Sequence, residues 1–205
     1  MPVKIKICGL TRPQDIEYVN EALPDYIGFV FAKSRRQVTP QSADELRHRL
    51  DYRIKAVGVF VNENINQIAS LCRNGIIDLV QLHGDENVEY ISALRKEIKI
   101  PVIKAVRVRD SESLKASCSI HCDYLLLDTF SGNEYGGTGK AFDWKLISGM
   151  GKPFFLAGGI SLDNAENAIK TVRPFCLDTS SSVETDNVKD RDKIINLVNL
   201  VRSVK

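Results

Sequence analysis

Eight short apolar runs rich in β-forming residues recur along the chain at near-regular spacing, and this recurrence narrows the possible folds more than any other feature. The runs begin near Val3 (VKIKIC), Tyr26 (YIGFVF), Lys55 (KAVGVFV), Leu79 (LVQLHG), Pro101 (PVIKAVRV), Tyr124 (YLLLDTF), Pro153 (PFFLAGG) and Pro174 (PFCLDTS), 21 to 29 residues apart. Each interval accommodates one strand, one helix and two short loops. The intervening segments are polar and compatible with helix: Pro13–Ala22, Pro40–Leu50, Asn64–Asn74, Asn87–Glu97, Asp143–Ser148 and Leu162–Thr171, with a last one over Val188–Val204. Thr11 with Pro13 and Asp15, Thr39 with Pro40, and Ser161 with Asp163 supply N-cap or first-turn chemistry. In the last helix Ile194, Ile195, Leu197, Val198, Val201 and Val204 form a broad apolar stripe that can close a ring against the first strand.

Strict alternation of strand and helix implies a parallel sheet. Eight units favour a closed α/β barrel, the (β/α)8 or TIM barrel, over a doubly wound open sheet of five or six strands. The 205 residues fit it as one domain, 1–205, with no Gly/Ser linker or low-complexity tract to divide them. With 28 Lys+Arg against 26 Asp+Glu and no long block of either sign, a nucleic-acid or membrane surface is not expected. The N-terminal stretch MPVKIKICGLTRPQD lacks the apolar core of a signal peptide, so the expected location is the cytoplasm. Five scattered cysteines (Cys8, Cys72, Cys118, Cys122, Cys176) read as reduced thiols. Cys118, His121 and Cys122 resemble part of a metal site, but no second ligand pair completes a tetrahedron and no metal is expected.

Side chains alternate along a strand, and the more apolar set should face the helices. Parity then turns Ile5 and Ile7 outward and Lys4, Lys6 and Cys8 inward, with Gln81 and His83 inward on strand four, Lys104 on strand five, Asp128 on strand six and Asp178 on strand eight. Barrel interiors are packed with apolar side chains, so this polar set needs a reason. One reason is a structural salt-bridge layer joining Lys6 and Lys104 to Asp128 and Asp178; the other is an active site at the carboxyl ends of the strands. Asp128, the last inward residue before its loop, favours the second, and Lys6, one layer below Cys8, the first. Three glycine- or serine-rich loops follow strands six, seven and eight, where barrels recurrently bind phosphate. They offer Gly137, Thr138, Gly139, Gly158, Gly159, Ser180 and Ser181 as donors to a phosphate dianion. GGTGK is too short for a Walker A loop, so a nucleotide is not indicated. In the second loop, AKSRRQ either grips a carboxylate or forms an ordinary basic turn.

The motifs KICGLT, GFVF with KSRR, VGVF, QLHGDE, LLLDT, GGTGKAFDW, LAGGIS and LDTSSSVE follow one another in an order that resembles the phosphoribosylanthranilate isomerase family across nearly the whole chain. The resemblance implies an Amadori rearrangement of N-(5-phosphoribosyl)anthranilate in tryptophan biosynthesis, with no cofactor and no metal. It makes Cys8 the general base, Asp128 the general acid and Arg36 the ligand of the anthranilate carboxylate. His83 and Asp178 join them as substrate-binding candidates. Such an acid must hold a proton, so Lys6 and Lys104 should lie closer to Asp178 or Cys8 than to Asp128. The chain departs from the family with Arg35 where proline is frequent, Ser182 where glycine is usual and Cys176 where a smaller residue is usual. Other classes fit less well. A metal-dependent epimerase needs several His and Asp ligands at strand ends, where only His83 qualifies, and a histidine-pathway isomerase would carry an acid at position 8. A barrel that only binds a phosphorylated metabolite remains open, as does the choice between monomer and homodimer.

Overall fold

Parallel pairing in sequence order, closed by β8 against β1, makes a barrel of eight strands in the computed structural model, which describes residues 2–107, 114, 117–128, 144–147 and 150–204. The strands are β1 (Lys4–Cys8), β2 (Tyr26–Val30), β3 (Lys55–Phe60), β4 (Leu79–Leu82), β5 (Val102–Arg107), β6 (Tyr124–Asp128), β7 (Phe154–Ala157) and β8 (Cys176–Thr179). Three of the runs open on proline, and in each the strand begins one or two residues later because proline has no N–H for the ladder. Helices α1 (Pro13–Ala22), α2 (Pro40–Arg49), α3 (Ile65–Arg73), α4 (Val88–Glu97), α5 (Ala165–Val172) and α6 (Arg191–Ser203) cover the outside. Within the segment expected as a helix over 143–148, the described part, Trp144–Ile147, is a 3₁₀ turn. Among the described residues no helix is long and apolar enough to cross a membrane.

Helix starts show where local chemistry differs from the sequence expectation. Thr39 caps α2 as expected, accepting from the Ser42 N–H at 3.1 Å. The cap position of α1 is Arg12 rather than Thr11, and buried Asp15 takes over the capping by accepting from the N–H groups of Thr11 (2.9 Å) and Arg12 (3.0 Å). Helix α5 begins after Asn164, not at Ser161. The last helix starts three residues later than expected, because Val188–Lys189 forms a short strand, β10, antiparallel to β9 (Glu184–Thr185). Asp186 and Asn187 turn this hairpin with φ of 51° and 66°, the left-handed pair that a tight two-residue loop requires.

The apolar core has two parts. A larger one fills the space between strands and helices and includes Ile5, Ile7, Ile27, Leu125, Leu127 and Leu177 of the strands with Leu197, Val198 and Val201 of α6. A smaller one lies inside the barrel and comprises Tyr26, Val57, Leu79, Ile103, Leu126, Phe155, Ala157 and Cys176. Tyr124 and Phe175 join it, their rings 4.8 Å apart at the centroids, and the Lys4 ammonium lies 4.9 Å above Phe175. This inner plug stops part-way up. Above it the inward positions turn polar, with Lys6 and Cys8 on β1, Gln81 on β4, Asp128 on β6 and Asp178 on β8.

Lys104 corrects the parity reading. Ile103 pairs with inward Gln81 and Ala105 with inward Leu126, so Lys104 belongs to the outer face between Val102 and Val106. Strand five is apolar on both faces, and its apolar count could not decide which set turned inward. The Lys104 ammonium reaches the loop after β4, donating to the Gly84 carbonyl and to Glu86, both at 2.7 Å. Glu86, absent from the sequence reading, also accepts from the N–H groups of Asn62 (2.8 Å) and Gly84 (2.9 Å), so a buried ion pair fixes the loop that carries His83.

Candidate active site

A cavity of about 460 Å³ opens at the carboxyl ends of the strands, where the inner plug stops. Cys8, Arg36, His83, Asp128, Gly158, Gly159, Asp178, Ser180 and Ser181 all line it. Every described member of the sequence-expected site is therefore gathered around one hollow. Gly137, Thr138 and Gly139 lie outside the described residues. Val30, Ala32, Val59 and Val61 form an apolar side of the same cavity.

Cys8 ends β1 opposite Gly28 of β2. A β-carbon on Gly28 would stand 2.6 Å from the Cys8 sulfur and 3.1 Å from its Cα, so the missing side chain is what gives the thiol its room. Substituting Gly28 by Ala is therefore expected to cost about 1–3 kcal/mol through overpacking. It should also lower kcat by displacing Sγ. Urea unfolding and steady-state rates measure the two effects, and unchanged kcat would show that the sulfur position is not critical.

The next residue, Gly9, has φ +82°, and a β-carbon there would come within 2.4 Å of the Arg36 Cδ. Glycine thus lets the Arg36 stem lie directly over the end of β1. The Arg36 Nε and Nη2 donate to Glu184 Oε1 (2.7 Å) and Oε2 (2.8 Å). Glu184 also accepts from Arg35 at 2.7 Å and from Lys189 at 2.8 Å. Burial would raise the Glu184 carboxyl pKa, but the hydrogen bonds from Arg36 and Lys189 outweigh it and hold the pKa down at about 2. Neither Glu184 nor Lys189 was chosen from the sequence. Their only signal is a glutamate at the end of LDTSSSVE and a lysine beyond a two-residue turn, which gains meaning once the hairpin is known.

Below Cys8, the fully buried Lys6 pairs with Asp178 at 2.9 Å. Burial alone would pull the Lys6 ammonium down, yet the charges of Asp178 and Cys8 reverse this and leave its pKa above the ordinary lysine value. Burial pushes the Cys8 thiol up. Lys6 counters that effect, Asp178 adds to it and Lys189 counters it again, for a net rise. Lys6 pairs with Asp178, as expected, whereas Lys104, expected beside Asp178 or Cys8, pairs with Glu86 instead.

Asp128 ends β6 with its Oδ2 3.7 Å from His83 Nε2. The other ring nitrogen of His83, Nδ1, lies 2.9 Å from the Gln81 amide nitrogen. Gly158 and Gly159 have φ of +89° and +76°, a left-handed conformation open to glycine without strain, and they bring bare backbone to the cavity wall. Ser180 Oγ donates to the Cys8 carbonyl at 3.0 Å, and the Ser182 hydroxyl is held by the Ile160 carbonyl and by Thr179 (2.5 Å). The extra hydroxyl at position 182 therefore ties the loops after β7 and β8 together. Cys176, another departure, is fully buried in the inner plug.

A curated relative from Endomicrobium trichonymphae, an N-(5'-phosphoribosyl)anthranilate isomerase, is 51% identical over 98% of this chain and 99% of its own. Among solved structures, the phosphoribosyl anthranilate isomerase of Thermotoga maritima superposes with a TM-score of 0.87 at 36% identity, covering 98% of both chains. A second isomerase structure, in complex with reduced 1-(o-carboxyphenylamino)-1-deoxyribulose 5-phosphate, gives 0.85 at 34% identity, again over 98% of both. The family model for N-(5'phosphoribosyl)anthranilate (PRA) isomerase matches residues 5–200, and the chain belongs to that family.

Proposed function

We infer that Cys8 and Asp128 carry the two proton transfers of PRA isomerisation in this chain, Cys8 as base and Asp128 as acid. The chain is a PRA isomerase of tryptophan biosynthesis, and the reaction sets the chemical requirements. Opening the ribose ring needs a proton on the ring oxygen, and moving the double bond needs removal of the C2 proton. Asp128 protonates the leaving ring oxygen, the Cys8 thiolate takes the carbon-bound proton, and the resulting enolamine tautomerises to the ketone. The observation that carries this reading is that the ends of β1 and β6 present a thiol and a carboxyl to one cavity, with an arginine and a glycine pair on its walls.

Arg36 is read as the ligand of the anthranilate carboxylate, since its Nη1 has no protein partner among the described residues. The phosphate belongs with Gly158, Gly159, Ser180 and Ser181, backed by Gly137, Thr138 and Gly139 of the preceding loop. Asp178 gives one oxygen to Lys6 and keeps Oδ2 for a sugar hydroxyl, while His83 steadies Asp128. A barrel of this kind works as one catalytic unit, and a biosynthetic role agrees with the cytoplasm.

A complex with the reduced product analogue tests the arrangement at once. The ring carboxylate should lie within hydrogen-bond distance of Arg36, the phosphate against Gly158 and Gly159, and the C2-equivalent carbon within reach of Cys8. An analogue bound in the reverse sense, with phosphate on Arg36, would overturn it.

A further inference from the structure

We propose that Glu184 is the positioning residue for Arg36, holding the guanidinium so that its outer edge is presented to the substrate carboxylate before substrate arrives. The proposal rests on Arg36 being the carboxylate ligand.

An arginine side chain has two edges that can meet a carboxylate, the side-on Nε/Nη2 edge and the end-on Nη1/Nη2 edge. Glu184 occupies the first through both of its oxygens, at 2.7 and 2.8 Å. The second keeps an Nη1 without a protein partner among the described residues, and Arg36 lines the cavity. The stem is confined as well. Cδ fills the space left by the absent side chain of Gly9, and the Arg36 N–H donates to Ser34 Oγ at 3.2 Å. A long side chain that would otherwise sample many rotamers is therefore committed to one, and ordering before binding is a recognised source of affinity.

Glu184 is itself fixed. Its side chain is buried, Lys189 pairs with it from the facing strand of the hairpin, and the Lys193 ammonium holds its carbonyl at 2.8 Å. Lys189 also binds the Ser180 carbonyl at 2.8 Å, which ties the clamp to the loop read as phosphate-binding. Arg35 adds a third cation at 2.7 Å from the Glu184 carboxylate, and its guanidinium contacts Asn187 in the hairpin turn. One carboxylate amid three cations leaves positive charge over. A second carboxylate can therefore bind beside it without displacing it.

The rival reading makes Glu184 a stand-in for substrate that must release Arg36 on binding. The two readings predict opposite signs. The probes are the reduced product analogue and its counterpart lacking the ring carboxylate, each titrated into wild type, Glu184→Gln and Arg36→Met. Glu184→Gln should weaken the carboxylated analogue about tenfold and the des-carboxy one less than about twofold. In turnover it should raise KM more than it lowers kcat. Equal weakening of both analogues would make Glu184 merely structural, and tighter binding of the carboxylated one would make it a competitor; either result overturns the proposal. Arg36→Met that still favours the carboxylated analogue would instead overturn the role of Arg36. If Glu184→Gln does not fold, Glu184→Asp, which keeps the charge but shortens the reach, replaces it with the same two-ligand comparison deciding.

Discussion

Replacing Cys8 by alanine is expected to lower kcat/KM by on the order of 10²- to 10⁴-fold, the range set by loss of one general base. The loss should fall on kcat, because the groups read as binding the carboxylate and the phosphate lie on other elements. The pH dependence carries the mechanism. Burial holds the Cys8 thiol above its ordinary pKa despite the counter-effects of Lys6 and Lys189, so at neutral pH the thiolate is a small fraction. Rate in the wild type should therefore climb with rising pH as the thiol ionises, and this limb should vanish in Cys8→Ala. Substrate consumption followed by fluorescence reads both effects, and full activity in Cys8→Ala would sink the assignment.

The other large effect is on stability. Lys6→Met leaves Asp178 as a nearly buried carboxylate without its partner, a type of change that costs about 3–5 kcal/mol. That is a substantial fraction of the roughly 5–15 kcal/mol available to an ordinary domain. Replacing both partners, as in Lys6→Met with Asp178→Leu, removes the orphaned charge and should recover most of the loss in urea unfolding. Equal destabilisation by the single and double variants would show that the pair is not the cause. Lys6 also lowers the Cys8 pKa, so a Lys6→Met enzyme that folds should show its rising pH limb displaced to the alkaline side.

How far the sequence was readable depended on whether each signal was local. Strand and helix positions are local patterns, and they were recovered to within two residues except at the starts of α5 and α6, which lie three residues later, with proline explaining several of the strand offsets. Cys8 could be placed because β1 alternates lysine with isoleucine, and Asp128 and Asp178 because each follows an outward leucine at or near the end of its strand. Lys104 could not, since Val102, Ile103, Ala105 and Val106 make both faces of β5 apolar. Glu86 and Glu184 were invisible for a different reason. Each acts through a partner brought close only by the fold, and a lone glutamate in a loop otherwise reads as solvated. The Ser180 hydroxyl is given to the Cys8 carbonyl, a contact between β1 and the loop after β8 that no local pattern shows.

The ion pairs at the mouth and floor of the site also constrain when it can exist. Arg36 and Glu184 are 148 residues apart in sequence, and Lys6 and Asp178 are 172 apart. Contacts of such range form only after most of the chain is available, because the entropy of closing the loop is met first. During synthesis the first seven strands emerge without the carboxylate that holds Arg36 or the one that neutralises Lys6. A nascent chain ending before β8 keeps a buried-to-be ammonium in water and an untethered arginine. Both pairs are therefore completed late, the floor of the site with the strand that closes the ring and its mouth with the hairpin that follows.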